Sequence, residues 1–391
     1  MFKVIDVARV ALGSVAHMAS KVPVIENTFH VSNRLSGPWP EGPFLWLHGA
    51  SLGECKMLLN LAGFLQEDLP NCPKILITTQ KVEVLTFLKE SGSNVESAIA
   101  PADSPASVKN FITRVQPIGL VLAENELWPG YLSAMRKIST RPSVALVSGR
   151  YHASVPGTDM SAIGFACMQT GADLSRFLNV AAKDNISKMM IGGDWKLLPW
   201  VRSGTEIETP TKTTVDTVFV SMHMAEWASL SRMLVSSVKR QESVVLIPRR
   251  LSEIAEFRKI LRDQEITVVD WPLVQKGAVS IVSQFGQTKD VFSVARSCIV
   301  GGSFSRGLGV HDFWEPLQMG VSTCVGPFVN GQKDAVHALL REGVIAQLQS
   351  TAGFAKRNMP DVRLVRTFLA HERMKIMDSY NQLLDFLKNL L

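Results

Sequence analysis

The segment Ile299-Val-Gly-Gly-Ser-Phe304 gives the clearest indication of the fold. A short apolar run, typical of a buried parallel strand, ends there in two glycines and a serine. A helix start follows at His311-Asp-Phe-Trp-Glu-Pro316, with a glutamate in its first turn. Backbone N–H groups at such a turn and helix start suit an anion, and a nearby carboxylate can accept from the hydroxyls of a ribose. This arrangement predicts a site for a nucleotide-activated sugar, whereas the Gly-x-x-x-x-Gly-Lys-Ser/Thr loop of ATP-binding proteins is missing from the sequence.

Short apolar runs alternate with amphipathic patterns on both sides of this segment, which predicts an α/β protein with parallel sheets covered by helices. The predicted strands of a first sheet are Phe44–His48, Lys74–Thr79, Ile118–Ala123, Ser143–Ser148 and Gly164–Gln169. The predicted strands of a second sheet are Thr217–Ser221, Ser243–Pro248, Ile266–Asp270, Ala278–Ser283, Ser297–Gly301 and Val321–Val325. We expect two Rossmann-like, doubly wound domains that face a cleft, with ligands at the carboxyl ends of the strands.

The same patterns predict the domain organisation. We expect a membrane-associating helix over residues 1–20, a first Rossmann-like domain over 21–195, a linker over 196–215, a second Rossmann-like domain over 216–371 and a C-terminal helix over 372–391. The charge-free part of the N-terminal segment, residues 10–20, is too short to span a bilayer. That segment is either an amphipathic helix in a membrane interface or a helix packed on its own domain.

Composition narrows the choice of partners. The 391 residues are 46% apolar and carry a formal net charge of +6, which favours anionic partners such as a lipid surface or a phosphorylated substrate. The basic residues are scattered and only three tyrosines are present, so nucleic acid is not an expected partner. The five cysteines form no Cys-x-x-Cys pair, which favours reduced thiols in the cytosol.

Polar residues follow the strands of the first domain where a ligand is expected. Glu54 is a candidate general base, although Ser51 and Glu54 also match a helix capping box, with Gly53 between them. Glu124 and Glu126 follow a buried strand, where one of them could orient a substrate or the backbone of a catalytic loop. The alternative is that Asn125 or Glu126 only caps the helix that follows. Arg150 also ends a strand and could hold a carboxylate or phosphate.

The second domain supplies candidates for binding an anionic sugar donor. His223 and Arg249 each follow a strand and can bind negative charge. Further candidates flank the opening segment: Gly301, Gly302 and Ser303 for a phosphate, His311 and Asp312 at the helix start, and Glu315 for the ribose. Asp312 could equally cap that helix. No metal-ligand motif such as His-x-x-x-His occurs, so we expect a transfer that needs neither a metal nor another cofactor.

Nine short segments, taken in order, resemble the Kdo transferases, which add 3-deoxy-D-manno-octulosonic acid to the lipid A precursor. They are Ser51-Leu-Gly-Glu54, Glu124-Asn-Glu-Leu-Trp-Pro129, Leu146-Val-Ser-Gly-Arg150, Gly193-Asp-Trp-Lys196, Ser221-Met-His223, Ile247-Pro-Arg249, Gly301-Gly-Ser303, His311-Asp-Phe-Trp-Glu-Pro316 and Gly326-Pro327. The resemblance covers most of the chain.

The resemblance implies an inverting glycosyltransferase of lipopolysaccharide biosynthesis with the GT-B fold, a CMP-Kdo donor and no metal. It implies a location at the cytoplasmic face of the inner membrane. Glu54 matches the family's catalytic base and Glu124 its second essential acid, while Arg249, Ser303 and Glu315 match donor-binding positions.

The sequence departs from the family pattern at several positions. Asp312 stands in place of asparagine, Phe328 and Arg250 in place of histidines, Gln287 in place of a glutamate, and Arg296-Ser297 in place of an Ala-Asp-type strand entry. Three alternatives therefore stay open: a GT-B transferase with another nucleotide-activated sugar, a sugar-nucleotide epimerase, and a non-catalytic relative.

Overall fold

The computed structural model describes residues 31–152, 156–181, 186–204, 213–284, 286–348 and 360–391. The chain forms two compact units, one of residues 1–203 with 372–391 and one of residues 204–371. The predicted N-terminal membrane helix, residues 1–20, lies outside the described residues. Within them, no helix combines the length and the apolar character that crossing a membrane requires.

The first unit is built on a parallel sheet of seven strands in the order β3-β2-β1-β4-β5-β6-β7. The strands are β1 Phe44–His48, β2 Ile75–Thr79, β3 Glu96–Ile99, β4 Pro117–Ala123, β5 Val144–Gly149, β6 Ile163–Met168 and β7 Lys188–Ile191. The helices are α1 Val31–Ser36, α2 Leu52–Asp68, α3 Val82–Glu90, α4 Pro105–Val115, α5 Pro129–Ile138, α6 Gly171–Ala181 and α7 Leu198–Ser203. The central strands are buried along their whole length because helices cover both faces of the sheet.

A second parallel sheet of seven strands forms the other unit, in the order β10-β11-β9-β8-β12-β13-β14. Its strands are β8 Val215–Met222, β9 Val244–Pro248, β10 Thr267–Asp270, β11 Ala278–Ile281, β12 Ala295–Val300, β13 Ser322–Val325 and β14 Ile345–Gln347. Its helices are α8 Trp227–Lys239, α9 Ile254–Asp263, α10 Thr288–Phe292, α11 Trp314–Gln318 and α12 Lys333–Arg341. The two doubly wound parallel sheets confirm the predicted α/β fold.

The last helix, α13 Val362–Lys388, returns to the first unit with its second half. The Trp195 indole donates to the Ser379 hydroxyl at 3.0 Å, and the Tyr380 hydroxyl donates to an Asp68 carboxylate oxygen at 2.6 Å. Gly164 lies under the Phe386 ring, because a Cβ there would come within 2.6 Å of that ring. The C-terminal helix was predicted from residue 372, and the structure begins it ten residues earlier, at residue 362.

Three strands were missed by the sequence patterns: β3, β7 and β14. All three lie at the edges of the sheets, where residues stay partly exposed and a continuous apolar run is not required. The predicted linker, residues 196–215, also differs from the structure, because its first part forms α7 within the first unit. Trp195, Leu197 and Leu198 are fully buried there, so this part of the chain gains more from packing than an exposed linker would.

Candidate active site

The candidate residues lie where each doubly wound sheet changes the direction of its strand order. In the first sheet that point falls between β1 and β4, and these strands lead to Glu54 and Glu124, respectively. In the second sheet it falls between β8 and β12, which lead to His223 and to Gly301. Crevices at such points are the usual ligand sites of this kind of fold.

Glu54 is buried and held in a fixed orientation at the start of α2. One carboxylate oxygen accepts from the backbone N–H groups of Ala50 at 2.7 Å and Ser51 at 3.2 Å, and the other accepts from the Ser51 hydroxyl at 2.8 Å. The capping box considered from the sequence is therefore present. Three donors leave about one of the carboxylate's four acceptor positions open to a further hydroxyl, so capping and proton transfer are compatible.

The surroundings of Glu54 favour its protonated form. Burial is the main cause that raises the pKa of Glu54, and the negative charges of Glu124 and Glu126 raise it further. The hydrogen bonds from Ser51 and Ala50 lower the pKa but do not cancel this rise. A raised pKa makes a carboxylate a stronger base, which suits a group that removes a proton from a hydroxyl. Gly49 allows this packing, because a Cβ there would lie 2.9 Å from the Glu54 Cβ.

Glu124 is the centre of a buried ion cluster. Its carboxylate accepts from the Lys196 ammonium at 2.8 Å and from the Arg150 guanidinium. Burial alone would raise the pKa of Glu124, but the charges of Lys196 and Arg150 outweigh it and lower that pKa. Glu124 therefore stays ionised, whereas Glu54 nearby has a raised pKa. This difference fits a fixed negative charge beside a proton acceptor.

The backbone of Glu124 is unusual as well, with a φ of +50° that non-glycine residues seldom adopt. Ser148 and Ser221, at the carboxyl ends of β5 and β8, also have positive φ, at +51° and +54°. Each such conformation costs on the order of 1–3 kcal/mol and persists only where the surroundings enforce it. Such strain clusters at functional sites, and these three residues lie at the strand ends where ligands are expected.

His48 and Glu126 connect the cluster to the core of the first unit. The Trp128 indole donates to a Glu126 carboxylate oxygen at 2.6 Å, and the same oxygen lies 3.3 Å from His48 Nε2 without hydrogen-bond alignment. The other ring nitrogen of His48 lies 2.8 Å from the Thr78 hydroxyl, to which the Trp46 indole also donates. Glu126 is thus held in place by aromatic neighbours.

We expect the Glu126→Gln variant to have a lower Glu54 pKa than the wild type, because one of the negative charges that raise it is removed. A titration of the glutamate side-chain carbons by NMR measures this directly. Glu83→Gln is the matched control, since Glu83 is an exposed first-turn glutamate of α3 in the same unit. An unchanged Glu54 pKa in Glu126→Gln would show that the two carboxylates do not interact.

In the second unit, His223 and His311 face each other. Their Nε2 atoms are 2.6 Å apart, and their rings stack with centroids 4.9 Å apart. Burial is the main cause that lowers the pKa of His311 to about 4, with further contributions from the charges of Arg249 and His223. The Arg249 side chain is exposed, and it lies close enough to both imidazoles to lower their pKa. The structure thus brings together three of the predicted donor-binding residues.

The glycine turn is held by internal hydrogen bonds. The Ser303 hydroxyl is fully buried; it donates to the Val300 carbonyl at 2.5 Å and accepts from the Gly326 N–H at 2.8 Å. These bonds tie the end of β12 to the end of β13, and the single hydroxyl proton of Ser303 is already donated within the protein. Its predicted contact with a phosphate stays a prediction. The N–H of Gly301 donates to the Val220 carbonyl at 2.8 Å, and that of Gly302 donates to the Glu226 carboxylate at 2.8 Å.

Asp312 and Glu315 occupy the start of α11. Asp312 is exposed and accepts from the backbone N–H of Trp314 at 2.8 Å, which is the capping role that the sequence left open. Glu315 is half-buried and accepts from the Thr288 hydroxyl at 2.7 Å, so one of its oxygens already has a protein donor. Its predicted contact with a ribose stays a prediction.

Most of the residues at which the sequence departs from the family pattern contact another side chain in the structure. The Arg296 guanidinium lies 3.1 Å from an Asp216 carboxylate oxygen at the amino end of β12, on the order of 15 Å from the carboxyl end of that strand. Arg250 pairs with Glu253 at 3.7 Å. Phe328 lies under the Arg306 guanidinium, 5.7 Å from it, beside the turn that ends β13.

Two residues of the ion and hydrogen-bond networks were given no role from the sequence: Lys196, which only ends one of the family-like segments, and Glu226. Lys196 follows the edge strand β7, which is only four residues long and partly exposed and so gave no clear strand signal. Glu226 forms the end of a short 3-10 turn after β8 and is fully buried. A charged residue just after a strand was the available signal in both cases. Gly53, predicted beside the site, packs against Lys196, because a Cβ there would lie 3.6 Å from the Lys196 Cε.

A groove of about 560 Å³ runs between α4 and α5 of the first unit. Its lining is mostly apolar, with Val108, Ile112 and Ala134 among the lining residues, and it includes Lys109 and Lys137. Its volume is within the range of small-molecule sites. In the part of the chain that the structure describes, no cluster of His, Cys, Asp and Glu suited to a metal ion is found.

Comparison with known proteins shows that the sequence is similar to transferases. The family model described as "3-Deoxy-D-manno-octulosonic-acid transferase (kdotransferase)" matches residues 25–197. The 3-deoxy-D-manno-octulosonic acid transferase of Aquifex aeolicus is 26% identical, over 80% of this chain and 82% of that protein. The enzyme of the same name from Chlamydia pneumoniae is 23% identical, over 78% of this chain and 74% of that protein.

Solved structures resemble the whole fold at low sequence identity. UDP-GlcNAc 2-epimerase from Neisseria meningitidis matches with a TM-score of 0.54 and 11% identity, over 89% of this chain and 100% of that one. MurG from Acinetobacter baumannii matches with a TM-score of 0.53 and 11% identity, over 89% of this chain and 100% of that one. These similarities, together with the two parallel sheets, identify the fold as GT-B.

Proposed function

We propose that this chain, which is similar to Kdo transferases over about three quarters of its length, transfers Kdo from CMP-Kdo to a lipid A precursor with inversion at the anomeric carbon. The observation that carries this proposal is the state of Glu54: a buried, oriented carboxylate whose pKa is raised, at the carboxyl end of the first sheet. Glu54 would serve as the base for the acceptor hydroxyl. Glu124, kept ionised by Lys196 and Arg150, would hold the negative charge that keeps this base strong.

The chemical step balances without any further reactant. The acceptor hydroxyl gives its proton to Glu54, and its oxygen forms a bond to the anomeric carbon of Kdo. The bond from that carbon to the phosphate oxygen breaks, and CMP leaves with the electron pair. Arg249, with His223 and His311 beside it, would stabilise the charge that develops on the phosphate.

The groove between α4 and α5 supports an acceptor with acyl chains. Its apolar lining suits a hydrocarbon chain, and Lys109 and Lys137 suit the anionic groups of such a lipid. Location at the cytoplasmic face of the inner membrane, by peripheral or N-terminal attachment, is part of the same proposal because the acceptor is a membrane lipid.

A transfer assay tests the function. We expect turnover when CMP-Kdo is generated in situ and a tetra-acylated glucosamine disaccharide is supplied, and a much slower reaction with the deacylated disaccharide. UDP-sugars serve as competing donors, and a reaction without acceptor tests for epimerase chemistry. Turnover with a UDP-sugar but not CMP-Kdo would contradict the proposed donor, a product formed without acceptor would favour an epimerase, and binding without any transfer would favour a non-catalytic relative.

A further inference from the structure

Glu226 is a buried carboxylate inside the glycine turn of the second unit. One oxygen accepts from the N–H of Gly302 at 2.8 Å and from the N–H of His223 at 3.1 Å, and the other accepts from the N–H of Phe304 at 2.9 Å. The side chain is fully buried, and none of the ion pairs within the described ranges involves it. Three backbone N–H groups therefore stabilise this carboxylate in the way expected for a bound anion.

The hydrogen bonds to Glu226 limit the groups to which the phosphate of a ligand can bind. Two N–H groups of the turn, those of Gly302 and Phe304, already donate to an internal carboxylate. A phosphate in their place would meet the negative charge of Glu226. The cationic and imidazole groups beside the turn include Arg249, His223 and His311.

Glu226 also fixes the backbone behind both imidazoles. It binds the N–H of His223 itself, and it binds the N–H of Gly302, against which His311 packs. A Cβ on Gly302 would lie 2.8 Å from the His311 Cδ2, and the His311 N–H donates to the Gly301 carbonyl at 3.2 Å. One carboxylate thereby holds the ends of β8 and β12 at the spacing that the two rings need.

The short distance between the two imidazole rings restricts the number of protons that they can carry. A separation of 2.6 Å between two Nε2 atoms requires one proton between them, because two facing N–H groups would repel. The pair is therefore either neutral or singly charged. The charged groups that act on it are Glu226, Glu253, Arg250 and Arg249 on His223, and Arg249 on His311.

We propose that Glu226 is a positioning residue: it occupies the amides of the glycine turn and holds His223 and His311 together, so that this histidine pair and Arg249, not the turn, receive the phosphate of the donor. This inference rests on the proposed function for the identity of the donor, while the phosphate site itself is a property of the second unit alone. An arriving phosphate adds negative charge beside the imidazoles and favours uptake of one proton by the pair.

NMR of the unsubstituted full-length protein, labelled in glycine, phenylalanine and histidine, tests the proposal with CMP and then with inorganic phosphate as probes. We expect the imidazole signals of His223 and His311 to shift and the amide signals of Gly302 and Phe304 to keep their positions and their protection from exchange. Shifted or newly protected amides of the turn, or imidazoles that respond to neither probe, would overturn the proposal. A response to phosphate but not to CMP would instead contradict the proposed donor and leave the phosphate site in place.

The Glu226→Gln variant supplies an independent readout. Its amide NH₂ group cannot accept from the turn, so we expect CMP affinity to fall by about tenfold or more and the shared imidazole proton signal to disappear. Glu226→Asp is expected to restore part of the affinity, because it keeps the charge. Glu242→Gln is the matched control: Glu242 is a buried carboxylate of the same unit that pairs with Arg240 at 3.0 Å, and its loss is expected to leave CMP affinity unchanged. Equal or tighter CMP binding by Glu226→Gln would show that the turn amides are the phosphate site.

Discussion

Replacing Glu54 by glutamine is expected to reduce turnover by roughly 10²–10⁴-fold and to leave the affinity for CMP unchanged. The glutamine has the size of the glutamate, and its carbonyl oxygen can still accept a hydrogen bond at the start of α2. It cannot take a proton from a hydroxyl at neutral pH. The expected loss is therefore confined to the chemical step, which a comparison of kcat with CMP binding by calorimetry will show.

The pH dependence gives a second measure of the same role. A base must be ionised to act, and the pKa of Glu54 is raised by burial and by the neighbouring carboxylates. We expect activity to increase with pH through that raised pKa, so the acid limb of kcat/KM lies above the ordinary range of a glutamate. Glu83→Gln is the control for general effects of losing a carboxylate from this unit. Near-normal turnover in Glu54→Gln, or an acid limb that survives the substitution, would assign the base to another residue.

Much of the fold could be predicted because buried parallel strands need continuous apolar segments. Phe44–His48 was predicted with its observed bounds, and the other central strands within about two residues. The edge strands β3, β7 and β14 could not be predicted in this way, since they have only three or four residues each and are partly exposed, which is too short for a continuous apolar run. The return of α13 to the first unit depends on contacts of Ser379 and Tyr380 with residues far away in sequence, and local patterns do not contain that information.

The candidate site was predictable in position and less so in its bonding. Residues that end parallel strands share one edge of a sheet, so the places of Glu54, Glu124, His223 and Gly301 followed from the strand pattern. The hydrogen-bond partners of these groups did not follow from the strand pattern. A glycine turn offers the same N–H groups to a ligand or to an internal carboxylate, and the choice of Glu226 depends on the spacing of β8 and β12.

Replacing Glu124 by alanine is expected to lower the free energy of unfolding of the first unit by about 3–5 kcal/mol. Glu124 is 3% exposed, and its removal leaves the Lys196 ammonium and the Arg150 guanidinium without their shared carboxylate. Breaking a buried pair costs more than the pair contributes, because the remaining charges stay partly desolvated. Hydrogen exchange measured by mass spectrometry on peptides that cover β4 reports this loss, and peptides that cover β9 provide the reference from the second unit.

The sign of the pH effect follows from the direction of the pKa shift. Because the pKa of Glu124 is lowered by Lys196 and Arg150 in spite of burial, its ionised form stabilises the fold. That contribution is complete above the ordinary glutamate pKa of about 4.3 and is lost as the pH falls through the lower value of the folded state. The difference between the wild type and Glu124→Ala is therefore expected to be full at neutral pH and to shrink in acid.

A double substitution separates the ion cluster from other effects of the change. Lys196→Met in the Glu124→Ala background removes one of the two cations that lose the Glu124 carboxylate, so the two losses are expected to overlap rather than add. Glu126→Ala is the matched control, since Glu126 lies two residues away and accepts from the Trp128 indole instead of from a cation, and its loss is expected to cost less. Strictly additive losses for Glu124→Ala and Lys196→Met, or a loss that persists undiminished in acid, would mean that charge pairing is not what stabilises Glu124. The carboxylate would then have no electrostatic reason to stay ionised beside Glu54, and the two acids could not differ in role.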